Sequence, residues 1–110
     1  MENIKFSDWQ KLDIRAGKIL KVEDVEGADK LYKLSVDLGK ELGKRVIVAG
    51  IKPYYKKEEL KSKSCTIFTN LEPRKIKGIE SQGMLLASVS DDESEVKILE
   101  TEGKPGSKVR

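Results

Sequence analysis

Three of the four residues from Arg74 to Lys77 are cationic, and they stand between Asn70 and the pair Ser81-Gln82, with Gly78 and Gly83 close by. Such a mixture suits a polyanion. Arg74, Lys75 and Lys77 can neutralise phosphates, while Asn70, Ser81 and Gln82 can hydrogen-bond base edges or ribose hydroxyls. The same composition also describes a solvated charged loop, and the cluster alone leaves both readings open. Lys30 and Lys33 flank the entry to an earlier strand and add to the candidate surface. Lys52, Lys56, Lys57, Lys61 and Lys63 extend a field that steers an anionic partner. Glu58 and Glu59 are spaced to pair with Lys61, Lys63 or earlier lysines.

Catalysis finds little support. The chain has no histidine, which removes imidazole bases, histidine metal ligands and histidine-based triads. Cys65 is the only cysteine, so neither an internal disulfide nor a Cys-x-x-Cys pair can form, and its apolar strand context reads as packing. Asp91-Asp92-Glu93 lacks the glycine and terminal glutamate of a calcium loop. The expectation is a binding protein rather than an enzyme, with no metal and no cofactor. Stacking is thinly provided too: Phe6, Trp9, Tyr32, Tyr54, Tyr55 and Phe68 are the whole aromatic set, and several suit the core.

The candidate residues must be carried by short strands. Asp13–Val22 reads as a long strand bent near Gly17, Val25–Lys30 as a loop, and Leu31–Leu38 as a strand with Tyr32, Leu34, Val36 and Leu38 on one face. Glycines mark a turn over 38–43, and Arg45–Ala49 is a buried β-branched run. Pro53–Lys61 favours one or two helical turns. Cys65–Leu71, Met84–Ser90 and Val96–Leu99 follow as strands, with Glu72–Gly83 as a basic connection, and Ser7 starts a short N-terminal helical turn. This order predicts an all-β, five-stranded barrel of the oligonucleotide- and oligosaccharide-binding (OB) fold, with a short helix between strands 3 and 4 and short terminal additions.

The 110 residues suit one domain, 1–110, and charged and hydrophobic residues each make up 37%. The net charge of +3 is unevenly spread: residues 40–79 carry net +7, against −1 for 1–39 and −3 for 80–110. Eighteen lysines against two asparagines and two glutamines is a balance found in proteins of hot environments. Polar residues follow Met1 with no apolar leader or lipidation motif, so a cytoplasmic protein without membrane attachment is expected.

The stretch NLEPRKIKGIESQGMLL, Asn70–Leu86, resembles the tRNA-binding domain family, found in stand-alone tRNA-binding proteins and in methionyl-tRNA synthetase β subunits or C-terminal domains. DIRAGKI (Asp13–Ile19), with Ala16 where valine is usual, RVIVAGI (Arg45–Ile51) and ADKLY (Ala28–Tyr32) are similar to further family motifs. Val25-Glu26-Gly27 departs from the family's His-Pro-Asn, so no contact is carried over to that loop. The resemblance implies a homodimer that recognises tRNA by shape at its outer corner. By matching position it implicates Lys30, Asn70, Arg74, Lys75, Ser81 and Met84, the methionine as an apolar contact. It also implies action in trans, as a free cofactor or as the β subunit of a methionyl-tRNA synthetase, whose catalytic subunit would then be a partner. Phe6, Trp9 and apolar residues after Met84 are candidates for the dimer interface. The alternatives are the family's peptide-binding export chaperone and an assembly module for a synthetase.

Overall fold

Tyr32, Leu34, Val36 and Leu38 are buried while Lys33, Ser35 and Asp37 between them are half-exposed, so one pleated strand supplies one wall of the core. The computed structural model describes residues 1–110. Its elements are α1 (Phe6–Trp9), β1 (Ile14–Val25), β2 (Ala28–Asp37), α2 (Gly39–Leu42), β3 (Lys44–Ala49) and α3 (Lys57–Leu60). They are followed by β4 (Ser64–Phe68), β5 (Arg74–Ile76), β6 (Ile79–Ser81), β7 (Met84–Leu85), β8 (Ala87–Val89) and β9 (Val96–Ile98). A five-stranded antiparallel sheet has the order β3-β2-β1-β4-β7, and β5-β6 and β8-β9 are separate hairpins.

The fold is mostly β and OB-like, with α3 between β3 and β4 where a short helix is expected. The long β1 serves two neighbours, β4 over Ile14–Lys18 and β2 over Lys18–Val25. Its register breaks between Ile19 and Lys21, beyond the expected bend at Gly17. Along Ile14–Ala16, Ala16 and Val109 donate backbone N–H groups to Ser107 and Ile14, so the C-terminal segment lies against β1. A core of Ile19, Tyr32, Leu34, Val36, Leu38, Ile47, Leu60, Ile67 and their neighbours fills the interior. Each such side chain contributes roughly 1.5–3 kcal/mol on burial.

Three local differences from the sequence reading have identifiable causes. The loop expected at Val25–Lys30 is a two-residue turn, because Gly27 takes φ 75° and lets Val25 pair with Ala28; Lys30 therefore lies in β2. The turn at 38–43 contains α2, whose first N–H, from Gly39, is accepted by Asp37 Oδ1 at 2.9 Å. Glu59 is occupied in accepting the Lys56 N–H at 2.8 Å, while Lys57 reaches Asp24 and Lys63 reaches Glu100. The glutamate pairings expected along this segment do not form, since α3 is a single turn and its lysines meet acids on other elements. No helix is long and apolar enough to cross a membrane.

Candidate nucleic-acid interface

The basic connection folds back on itself. Ile76 and Ile79 close a two-residue turn in which Lys77 and Gly78 have φ 52° and 80°, as a type I′ hairpin demands. Pairing places Arg74 opposite Ser81 and Lys75 opposite Glu80. Alternation then separates the cations: Arg74 and Ile76 border a hollow of about 100 Å³ with Val48, Leu71, Ser81 and Met84, while Lys75 projects from the other face. That volume is far below the 300–1,000 Å³ or so typical of a small-molecule pocket.

The hairpin meets the main sheet at the free edge of β3. There the N–H of Val46 donates to Gln82 Oε1 at 2.9 Å and the N–H of Val48 to Ser81 Oγ at 3.0 Å. The Gln82 N–H donates to the Val46 carbonyl at 2.8 Å, and Ser81 Oγ–H donates to the Gly83 carbonyl at 3.1 Å. Arg45 Nη1 donates to the carbonyls of Thr69, at 2.7 Å, and Gln82, at 3.3 Å. The edges of the five-stranded sheet are thus bridged mainly by side chains, and no continuous ladder closes a barrel. Gly83 is required at this junction: at φ 146° an added Cβ would stand 2.9 Å from the Phe68 carbonyl oxygen.

Register links the candidate residues across strands. Lys33 pairs with Val48, Val48 bonds to Ser81, and Ser81 pairs with Arg74, so Lys33 and Arg74 lie in one row. Their backbones are on the order of 15 Å apart at usual strand spacing. Lys30 is exposed in β2, with its carbonyl accepting the Lys52 N–H. Met84 is 43% exposed beside the hollow. Asn70 lies elsewhere in the network: its Oδ1 accepts the Asp13 N–H at 2.8 Å and its Nδ2 donates to the Lys11 carbonyl at 2.7 Å, which holds the N-terminal segment against the end of β4. Ser81 and Gln82 likewise spend polar atoms inside the chain.

The electrostatics divide the lysines. Lys11, Lys21, Lys52, Lys57 and Lys63 each have an acidic partner, as Arg15 does, whereas the other sixteen cations, Lys30, Lys33, Arg74, Lys75 and Lys77 among them, have none. Sequence reasoning passed over Arg15 and Arg45. Buried Arg15 bonds to both Asp13 and Glu41, and its hydrogen bonds hold both carboxyl groups below their usual range. The available signal was Asp13 two positions before Arg15, an acid and a base spaced to share one face of a strand. Burial pushes the Cys65 thiol up to about 12, in keeping with a packing role. No group of His, Cys, Asp and Glu side chains is arranged to hold a metal ion. A second, larger hollow of about 470 Å³ lies between α1 and the C-terminal segment, lined by Phe6, Trp9, Leu12, Ile14 and Val109 among others.

The family model described as a putative tRNA binding domain matches residues 14–108. The chain is 55% identical over 112 residues to a methionine–tRNA ligase of Pyrococcus horikoshii, covering 100% of this chain and 15% of that protein. The ligase of Methanocaldococcus jannaschii is 47% identical, with 100% and 17% covered. The chain therefore spans about a sixth of the length of these relatives. Among solved structures, a MetRS-related protein from Pyrococcus horikoshii superimposes with TM-score 0.92 at 34% identity, covering 100% of both chains. A CsaA chaperone protein from Picrophilus torridus gives TM-score 0.89 at 34% identity, covering 98% of this chain and 100% of the other.

Proposed function

The chain belongs to the tRNA-binding domain family, and on that premise we propose that it binds folded tRNA by shape, largely independently of base sequence. The observation that carries this reading is the β5-β6 hairpin, which exposes Arg74, Lys75 and Lys77 within four residues and without acidic partners. With Lys30 and Lys33 of β2 they make five candidate cations that no acid neutralises. These five contact phosphates and Met84 supplies an apolar contact, while Asn70, Ser81 and Gln82 shape the surface that presents them. Recognition is non-catalytic and needs no cofactor.

The protein acts in the cytoplasm and in trans, as a homodimeric cofactor or as the detached β subunit of a methionyl-tRNA synthetase, whose catalytic subunit is then a partner. Pairing two copies joins two small phosphate-binding surfaces and raises the effective concentration of the second. The hollow beside α1 supports the dimer, since Phe6 is 70% exposed and Leu12 and Val109 are exposed with it. The chaperone likeness supports a second reading, in which an apolar peptide segment occupies that hollow.

Titration of folded tRNA and of a single-stranded RNA over a salt series separates these readings. Wild type should prefer folded tRNA and weaken steeply with salt, and Arg74→Glu/Lys75→Glu should abolish binding. Failure of the wild type to bind at low salt would remove the tRNA reading. Salt-insensitive peptide capture by both proteins would favour the chaperone.

A further inference from the structure

The hairpin that carries three of the five candidate cations has no backbone ladder to the five-stranded sheet. An isolated two-stranded hairpin is marginal in water, so its position must come from elsewhere. Packing of β6 against β3, where Ser81 is buried, supplies part of it, and a small hollow lies beside Arg74, Ile76 and Val48. What remains is the row of bonds along β3: Val46 N–H to Gln82 Oε1, Val48 N–H to Ser81 Oγ, and Gln82 N–H to the Val46 carbonyl. Two of these three end on side-chain atoms. They also satisfy edge N–H groups of β3 that no strand covers.

We propose that Ser81 and Gln82 are positioning residues: their side chains latch the hairpin to β3 and so fix Arg74, Lys75 and Lys77 relative to Lys30 and Lys33. The inference rests on the tRNA-binding reading. Its consequence is unusual for two neutral residues. Losing their side-chain oxygens frees the cations from the common surface, and tRNA binding loses ionic contacts although no charge has been removed.

The salt dependence of binding reads this directly, since each phosphate contact adds about one to the slope of log affinity against log salt. Ser81→Ala/Gln82→Met should weaken folded-tRNA binding by about tenfold at low salt and lower the slope by one or more. Hydrogen exchange at the Val46 and Val48 amides should speed up in the same protein. In an Arg74→Ala/Lys75→Ala/Lys77→Ala background the same pair should have no further effect on affinity. Ser81→Thr, which keeps the hydroxyl, should retain the wild-type slope. Gln82→Met alone alters an exposed side chain and serves if the double variant does not fold.

A weaker affinity with an unchanged slope, or an effect that persists without the three cations, would mean direct sugar or base contacts and would overturn the latch. Unchanged affinity would overturn it as well. If wild-type protein fails to bind tRNA, the functional reading falls and takes this inference with it. That case is recognised from the wild-type titration alone.

Discussion

Lys77 occupies a backbone conformation that L-residues other than asparagine, aspartate and histidine seldom take, with φ 52° in the first central position of the hairpin turn. The left-handed region costs a lysine on the order of 1 kcal/mol, and asparagine enters it more readily. Lys77→Asn should therefore raise stability by up to about 1 kcal/mol in denaturant unfolding. The same variant should lower the salt slope of tRNA binding by about one. An unchanged slope would leave Lys77 outside the interface. Arg74, by contrast, sits in ordinary strand geometry and borders the hollow, so its loss is read in binding alone.

Elements are tied together by charge as well as by the sheet. Arg15 on β1 holds Glu41 of α2 at 3.2 Å and Asp13 at 2.8 Å. Both acids ionise more readily in the folded protein than in the unfolded chain, because the guanidinium donates hydrogen bonds to their charged forms. The unfolded chain thus takes up protons first as pH falls. Their stabilisation is complete above the usual carboxylate values and is lost as pH drops through the lowered folded ones. Asp13→Asn should cost about 1–3 kcal/mol at pH 7 and flatten the decline below about pH 4 in denaturation across a pH series. Glu41 is largely exposed and contributes less. Such ties mark the limit of what the sequence reveals. Alternation exposed β2 through Tyr32, Leu34, Val36 and Leu38, and β-branched residues exposed β3, because burial on one face leaves a period. The three-residue strands of the β5-β6 hairpin are too short to show one, and the cations there read only as a connection. The candidate cations were legible by type. The inward bonds of Asn70, Ser81 and Gln82 were not, because they join residues 33 to 59 positions apart or serve a strand edge defined only by the fold.

At the scale of the whole molecule, the net +7 of residues 40–79 is partly cancelled in space. Asp24 takes Lys52 and Lys57, and Glu100 takes Lys63, while Lys40, Lys44, Lys56 and Lys61 stay without acidic partners along with Arg74, Lys75 and Lys77, which the hairpin concentrates within four residues. A second copy of the chain would enlarge that surface without changing either hairpin. Phe6→Glu places a charge in the hollow beside α1 and should convert a dimer to monomers in sedimentation velocity, with folded-tRNA affinity falling at least tenfold through lost bivalency. A monomeric wild type would remove the dimer from the reading.

The pairing of the C-terminal segment with β1 has a consequence for attachment. Val109 bonds to Ile14, and Lys108, Val109 and Arg110 share the α1 hollow with Phe6 and Trp9, so the C-terminal segment ends beside α1. A polypeptide joined after residue 110 therefore leaves beside that hollow. Whatever is tethered there and whatever occupies the hollow would meet, so attachment at this end and docking at α1 compete for one side of the domain.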